Sequence, residues 1–320
     1  MNKHMVAALN VLSQVDIKKN YKLIRQAYRV AKKPRIKLAY QTWDRFVKNG
    51  DHQIPIRVFS PAVDAMEWVS DFMEAPYPFM VFIHGGGWVT EDIDTYEKTY
   101  LTAARQTGHM VVAVDYRLAP ENPFPAALED CAEVVREVMR WREKLGIFRK
   151  ITVLGDSAGG NLAAALSLYM RDRGEKLADR QILVYPAVND DHTENSPFLS
   201  VAENGTDYIL TSKQICDYVD LYCGKPEDRD SPYFAPLLAG DFSNQPDTLV
   251  ITAQYDPLRD EGEEYGRKLK DAGNRVVVRR VDDTLHGYFA LSIKFSAVKE
   301  SYEIINSFLR GEDETDGRSG

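Results

Sequence analysis

Short apolar runs that alternate with helix-like stretches constrain most strongly what this 320-residue chain can fold into. The runs lie at residues 79–83, 110–115, 151–154, 182–185, 248–252 and 276–278. Strands that are continuously apolar are typical of a parallel sheet covered by helices on both faces. Two segments of alternating polarity precede them, at residues 41–48 and 54–59, and predict an antiparallel start to the same sheet.

Helix-like stretches follow most of the apolar runs and complete an α/β pattern. We predict helices at residues 126–144, 259–271 and 289–309, and an Ala-rich helix that ends near Arg171. Residues 189–244 break this pattern, because they contain no clear strand and are rich in Pro, Asp and Asn around one helix-like segment at 212–222. An insertion of this length in a regular α/β chain usually has a function, so we expect a lid or cap.

Charge and hydropathy exclude several classes of protein. The chain carries 40 Lys and Arg against 48 Asp and Glu, a net charge of −8, which argues against general nucleic-acid binding. Nine basic residues and no acidic one lie between Lys18 and Lys37. We interpret them as a solvated helix face rather than a membrane or nucleic-acid patch. Without a membrane-length apolar run or a signal-peptide pattern, we expect a cytoplasmic protein with no membrane partner.

The three cysteines do not predict a covalent or metal-bound scaffold. Cys131, Cys216 and Cys223 are too few and too scattered for a disulfide framework, and we interpret them as small buried side chains. The sequence contains neither a CxxC nor an HExxH motif. We therefore expect no protein-bound metal.

Ser157 lies in a short motif with a specific context. Residues 155–159 read GDSAG, after an apolar run and before the Ala-rich helix. This is the setting of a G-x-S-x-G nucleophile elbow, in which a sharp turn lifts the serine hydroxyl above the sheet and small neighbours let the chains pass. The turn also aims the free N–H groups of the helix N-terminus at the reacting centre. The pattern predicts Ser157 as a nucleophile.

A serine hydroxyl needs a base to take its proton, and in this arrangement the acid and then the histidine follow the serine. Of the six histidines, only His192 and His286 come after Ser157. His192 lies at the start of the insertion, before any strand that could supply an acid, so we predict His286 as the base. Asp256 ends the apolar run before His286 and is the predicted acid, whereas Asp260 falls inside the next helix.

A glycine-rich segment, HGGG at residues 84–87, follows an earlier apolar run. Without side chains, successive backbone N–H groups can converge on one point and stabilise a developing oxyanion. We predict donors at Gly85, Gly86 and Gly87, together with the N–H of Ala158 after the serine. A nucleotide site is disfavoured, because no Lys follows the glycines and no G-x-x-x-x-G-K-[ST] motif occurs.

Taken together, the motifs resemble the hormone-sensitive-lipase-like family of bacterial esterases. The matching segments are HGGG at 84–87, DYRLAPE at 115–121, GDSAGG at 155–160 and DPLRD at 256–260. The resemblance covers about residues 54–309. It implies an α/β-hydrolase fold with an eight-stranded, mostly parallel sheet flanked by helices.

The resemblance also implies a domain organisation. The hydrolase core is expected at residues 46–188 and 246–310, and a helical cap at residues 1–45 and 189–245. The polar, acidic residues 311–320 are expected to form a disordered tail.

Family members hydrolyse mainly esters of short acyl chains without a cofactor, so the resemblance implies a small-molecule ester as the partner. Trp88 is a candidate for the substrate wall, and Tyr288, where the family usually has Phe, is expected to bear on the pocket. An amide or carbohydrate-acetyl hydrolase with the same triad stays open, because fold and triad do not fix the leaving group. The intact triad residues oppose a non-catalytic ligand receptor of the same fold. The sequence leaves the oligomeric state open, a homodimer included.

Overall fold

The computed structural model describes residues 15–31, 41–62, 69–144, 150–206 and 208–312 of the chain. Parts of four predicted regions lie outside this description. They are residues 1–14 and 32–40 of the expected N-terminal cap segment, residues 63–68 and 145–149 of the expected core, residue 207 of the expected cap insertion, and residues 313–320 of the expected tail.

The described residues form one eight-stranded sheet. Its strands are β1 (Thr42–Asn49), β2 (His52–Phe59), β3 (Phe79–Ile83), β4 (Met110–Val114), β5 (Thr152–Asp156), β6 (Arg180–Val184), β7 (Asp247–Tyr255) and β8 (Val276–Leu285). Across the sheet the order is β1-β2-β4-β3-β5-β6-β7-β8. β2 pairs antiparallel with β1 and β4, and every other neighbouring pair is parallel. The predicted mostly parallel sheet with an antiparallel start is confirmed.

Helices cover both faces of this sheet. They are α1 (Ile17–Ala31), α2 (Glu97–Thr107), α3 (Ala126–Lys144), α4 (Ala158–Asp172), α5 (Leu199–Asn204), α6 (Ser212–Tyr222), α7 (Arg259–Asp271) and α8 (Ser296–Arg310). Buried side chains of α3, α4 and α7 share one apolar core, and those of α2 and α8 share the other. None of the helices described is long and apolar enough to cross a membrane.

The central strands explain why their sequences are continuously apolar. Every residue of β3 is buried. Because successive side chains of a strand point to opposite faces, Val81 and Ile83 join the core under α3 and α4, while Met80 and Phe82 join the core under α2 and α8. A strand packed by helices on both sides has no solvent-facing position for a polar residue.

The predicted insertion is irregular, as expected. Within its described residues, 189–206 and 208–244, there is no strand. α6 begins where predicted because Thr211 caps it: the Thr211 hydroxyl accepts from the Gln214 N–H, and the Gln214 side chain accepts from the Thr211 N–H.

The last helix was predicted to begin at residue 289, and that boundary is wrong. Gly287 adopts a left-handed φ of 83°, and residues Tyr288–Ala290 form a single 3₁₀ turn that carries Phe289 into the core. α8 begins only at Ser296. Burial of Phe289 at this turn overrides the helical periodicity of residues 289–295.

Candidate active site

Ser157 lies in the sharp turn between β5 and α4. Its backbone has φ 55° and ψ −119°, a conformation that a non-glycine residue rarely adopts. Three backbone hydrogen bonds hold it there. The Ser157 N–H donates to the Val184 carbonyl at 2.9 Å, and the Ser157 carbonyl accepts from the Asn161 N–H at 3.0 Å and from the Ala187 N–H at 3.3 Å. The predicted elbow is therefore present, with its strain fixed by neighbouring backbone.

The glycines around the elbow are needed because two backbones pass almost in contact. A Cβ atom on Gly155 would lie 2.1 Å from the Gly159 carbonyl oxygen. A Cβ atom on Gly159 would lie 2.0 Å from the carbonyl oxygen of Ile83, the last residue of β3. These contacts bring the N-terminus of α4 against the end of β3, where the HGGG loop begins.

The three predicted triad side chains meet at the carboxyl ends of the strands. Asp256 directly follows β7 and His286 directly follows β8. The His286 Nε2 atom lies 2.9 Å from the Ser157 hydroxyl oxygen, and its Nδ1 atom lies 2.7 Å from Asp256 Oδ2. The Asp256 side chain is fully buried and that of His286 is 11% exposed. A continuous hydrogen-bonded chain therefore links the carboxylate to the serine hydroxyl.

The Asp256 carboxylate is held by a second contact on its far side. Its Oδ1 atom accepts from the Leu258 N–H at 2.9 Å, which leaves Oδ2 turned towards His286. Because a carboxylate only accepts, the Nδ1 atom of His286 carries the proton and Nε2 is the atom that can accept one. In this tautomer the imidazole can take the proton of the Ser157 hydroxyl.

The other candidate bases are engaged elsewhere. His192 is fully buried, and its Nε2 atom lies 2.7 Å from the Glu261 carboxylate. Burial lowers the pKa of His192, but the charge and hydrogen bond of Glu261, together with the charges of Asp190 and Asp191, outweigh burial, so that the pKa is raised. The His84 ring is buried against Tyr116 at a centroid distance of 4.3 Å, and its Nδ1 atom donates to the Gly85 carbonyl.

One predicted oxyanion donor is wrong. The Gly85 N–H donates to the carboxylate of Asp156 at 3.0 Å, so it is not free to bind a substrate oxygen. Gly86 and Gly87 take left-handed φ values of 96° and 62°, and no acceptor in the described part of the chain contacts their N–H groups. Ala158 is the first residue of α4, where N–H groups have no helical partner.

Asp156 is a site residue that the sequence analysis missed. It is buried, and its Oδ2 atom accepts from the Tyr96 hydroxyl at 2.7 Å. Burial raises its pKa to about 6, against the opposing effect of the Tyr96 hydrogen bond. Since Asp156 also holds Gly85, it fixes the HGGG loop beside Ser157. Its place in the motif, next to the serine, was the available signal.

A cavity of about 450 Å³ lies over Ser157 and His286. We call the loops at the carboxyl ends of β3, β5, β7 and β8 the floor of this cavity, and α1 together with α6 its roof. Roof residues that line it include Ile24, Tyr28, Ile215 and Tyr218. The roof therefore limits the space above the serine.

The two predicted pocket residues differ in position. Trp88 lines the cavity, with its ring stacked on Tyr222 at a centroid distance of 4.6 Å. Tyr288 is not among the lining residues. Its hydroxyl is hydrogen-bonded with the Ser301 hydroxyl at 2.7 Å, beneath α8. The prediction for Tyr288 is wrong because the 3₁₀ turn after Gly287 directs its ring into the core.

Comparison with known proteins decides the family. A family model described as the alpha/beta hydrolase fold matches residues 80–290 of the chain. The chain belongs to the α/β-hydrolase family. The family predicted from the sequence motifs is therefore confirmed.

Among α/β-hydrolases, the chain is similar to several esterases. It is 36% identical over 250 residues to an arylesterase of Saccharolobus solfataricus, covering 78% of this chain and 77% of the relative. It is 32% identical over 254 residues to an ethyl acetate hydrolase of Pseudomonas putida, covering 79% and 76%. A solved hyperthermophilic esterase from the archaeon Pyrobaculum calidifontis superimposes with a TM-score of 0.82 at 35% identity, covering 98% and 99%.

Proposed function

We propose that this carboxylic ester hydrolase works through an acyl-enzyme on Ser157, with His286 as general base and Asp256 as the acid that orients it. The observation that carries the proposal is the hydrogen-bonded chain from Asp256 through His286 to Ser157 at the floor of a cavity. The relatives support ester hydrolysis, since their names are arylesterase and ethyl acetate hydrolase.

In the first half of the reaction, the Ser157 oxygen attacks the ester carbonyl carbon while its proton passes to His286 Nε2. The carbonyl oxygen becomes an oxyanion, for which the N–H groups of Gly86, Gly87 and Ala158 are the proposed donors. Each such donor contributes about 3–4 kcal/mol of transition-state stabilisation. His286 then returns the proton to the departing alkoxide, and an alcohol leaves. Buried Asp256 stabilises the imidazolium that forms between these two transfers.

In the second half, water takes the place of the alcohol. It attacks the acyl carbon of the Ser157 ester and gives its proton to His286 Nε2. Collapse of the second oxyanion breaks the bond between Ser157 and the acyl group, and His286 protonates the serine oxygen. The carboxylic acid leaves and the triad returns to its starting state.

The roof suits small or medium acyl groups. We propose that residues 1–45 and 189–245 form a cap over the core at 46–188 and 246–310, and that this cap sets the size limit. The cavity of about 450 Å³ supports this, because it falls in the lower part of the range of small-molecule pockets. A cytoplasmic location stays a prediction from the sequence, and the oligomeric state, a homodimer included, stays open.

A substrate screen with purified protein tests this function. We expect hydrolysis of p-nitrophenyl esters with acyl chains of about two to eight carbons, and poor activity on emulsified long-chain triglyceride. Ser157→Ala should lower kcat roughly a millionfold without unfolding the protein. A preference for anilides or acetylated sugars would make the chain an amide or carbohydrate-acetyl hydrolase. No turnover of any substrate would favour a ligand receptor.

A further inference from the structure

Glu91 places a carboxyl group in the wall of an otherwise largely apolar cavity. Its side chain is buried, with 8% of the residue exposed, and it is one of the residues that line the cavity over Ser157. It lies close to the proposed oxyanion donors, because its Cγ atom is only 2.8 Å from where a Cβ atom on Gly86 would be. The triad mechanism gives this carboxyl group no role.

The backbone of Glu91 is held in an unfavourable conformation. Its φ of 67° lies in the left-handed region, which side chains other than those of glycine, asparagine and aspartate rarely occupy. Such strain persists where surrounding structure fixes it, and it clusters at functional sites. Glu91 thus combines a strained backbone with a side chain in the cavity wall.

The charge of Glu91 acts on three tyrosines that line the same cavity, namely Tyr28, Tyr96 and Tyr218. Burial raises the pKa of Tyr28, and the negative charge of Glu91 raises it further. The pKa of Tyr218 is raised first by burial, with smaller contributions from Tyr28 and Glu91. Glu91 therefore acts electrostatically on rings that reach the cavity from the roof.

The charged side chains that line the cavity, within the part of the chain that the structure describes, are acidic. Among the described residues that line it, the acidic ones are Glu91 and Asp156, and none is Lys or Arg. Two arginines of α1 lie near this loop but are engaged elsewhere. Arg25 pairs with Glu121 and donates to the Val89 carbonyl, and Arg29 pairs with Asp92.

We propose that Glu91, with Tyr28 and Tyr218, forms a subsite for an ammonium group, so that the enzyme prefers esters that carry a cation in the alcohol or acyl part. The inference rests on the proposed ester hydrolysis at Ser157. Aromatic rings attract a quaternary ammonium through their negative faces, and a desolvated carboxylate adds a direct charge interaction. A carboxylate offers about four acceptor positions, so it can bind a cation in addition to other partners.

The experiment compares isosteric substrates in the wild-type enzyme. The alcohol-side pair is acetylcholine and the acetate ester in which a tert-butyl group replaces the trimethylammonium group. The acyl-side pair is the ethyl ester of γ-butyrobetaine and its tert-butyl counterpart. Acid release is followed by pH-stat titration. We expect kcat/KM for the cationic member of at least one pair to exceed that of its neutral isostere by about tenfold.

Glu91→Gln assigns the preference to the carboxylate, because it removes the charge and retains the length of the side chain. The ratio of kcat/KM between cationic and neutral members should fall about tenfold, whatever the variant does to the common catalytic step. The matched control is Asp94→Asn, which removes a charge from an exposed carboxylate that pairs with Arg57 outside the cavity. It should leave the ratio unchanged.

A measurement on the wild-type enzyme covers the case in which Glu91→Gln does not fold. Choline should inhibit hydrolysis of the neutral acetate. The concentration required should be about a tenth of that required for the neutral alcohol in which a tert-butyl group replaces the trimethylammonium group of choline. Hydrolysis of the neutral esters with no cationic preference in either pair would overturn the inference and leave the ester hydrolase intact. A preference that survives Glu91→Gln would also overturn it. Failure to hydrolyse any of the four esters would instead contradict the proposed function.

Discussion

The floor and the roof of the cavity are held in different ways. In the floor, backbone lies against backbone, so that even a Cβ atom on Gly159 would meet the Ile83 carbonyl at 2.0 Å. The roof helix α1 has a single buried residue, Ile17, in contrast. Its links to α6 include the ion pair of Lys18 with Asp220, in which both side chains are about 40% exposed or more.

This difference separates the chemistry from the choice of substrate. Close steric contact fixes the floor, and the positions of Ser157, His286 and Asp256 with it, to the tolerance that proton transfer needs. Exposed ion pairs typically contribute less than about 1 kcal/mol, so the roof can change its side chains at little cost in stability. We therefore expect floor variants to lose activity or fold outright, and roof variants to change mainly substrate affinity.

Apart from the loss of Ser157 itself, the largest expected effect is that of replacing Asp256. In Asp256→Asn, the amide oxygen would keep the Leu258 N–H bond, so the amide NH₂ group would face His286 Nδ1. Because an NH₂ group donates, it favours the tautomer in which His286 accepts at Nδ1 and carries its proton on Nε2. A protonated Nε2 atom cannot accept the Ser157 proton. We expect kcat/KM to fall about ten-thousandfold with an unchanged circular dichroism spectrum.

Asp260→Asn is the matched control, because Asp260 lies in the same segment but contacts Ser200 and Arg259 instead of His286. It should keep kcat/KM within a few-fold of wild type. Comparable losses in both variants would mean that the acid has been assigned to the wrong residue.

Gly159→Ala tests the steric rigidity of the floor. Its Cβ atom would collide with the Ile83 carbonyl, so we expect a loss of about 3 kcal/mol or more in the free energy of unfolding. Gly240→Ala supplies the control, since a Cβ atom there would meet nothing within 4 Å. Its effect should stay within about 0.5 kcal/mol. Urea unfolding of both variants measures the contrast, and equal losses would refute it.

Acid pH should lower the free energy of unfolding through a buried histidine that lies away from the roof. Burial lowers the pKa of His109, just before β4, to about 4. In the unfolded chain the pKa of this histidine is about 6.5. The contribution of neutral His109 to the free energy of unfolding is therefore fully present above that pH and is lost as the pH falls towards 4. The loss should reach about 2 kcal/mol at pH 5. Urea unfolding at pH 7 and pH 5 should give a smaller difference for His109→Gln than for wild type.

The smallest expected effect belongs to the roof. Arg25 ties α1 to the loops after β3 and β4 through the Val89 carbonyl at 2.6 Å, the Ala119 carbonyl at 2.7 Å and the Glu121 carboxylate. Arg25→Met should raise KM about fivefold and cost about 1–2 kcal/mol of stability, with kcat changed less. Lys22→Met removes an exposed charge from the same helix and should change neither. If Arg25→Met lowered kcat by a larger factor than it raised KM, the roof would belong to the catalytic machinery.

The floor was more predictable from sequence than the roof, for physical reasons. Ser157 stands among glycines that close backbone packing requires, and the order of nucleophile, acid and histidine along the chain leaves few candidates for the other two triad residues. Requirements of this kind appear in the sequence as short motifs. The roof residues Tyr28 and Tyr218 reach the cavity from helices nearly 200 residues apart in the chain, and neither stands in a motif.

The errors at two site residues come from contacts that the local sequence does not show. Gly85 was predicted as a free donor, but Asp156, 71 residues away, accepts its N–H. Tyr288 was predicted beside the substrate, but Ser301 holds its hydroxyl. Glu91 carried no signal at all, because its left-handed backbone and its place in the cavity wall appear only in the folded chain.

The central claim is that Ser157 carries the acyl group, and mass spectrometry tests it most directly. The wild-type protein is treated with an organophosphate that forms a stable ester with an activated serine, then digested and sequenced by tandem mass spectrometry. We expect one adduct, on the peptide that contains Ser157, with loss of activity in proportion to labelling. Stoichiometric labelling of a different serine, or complete inactivation with Ser157 unmodified, would contradict it.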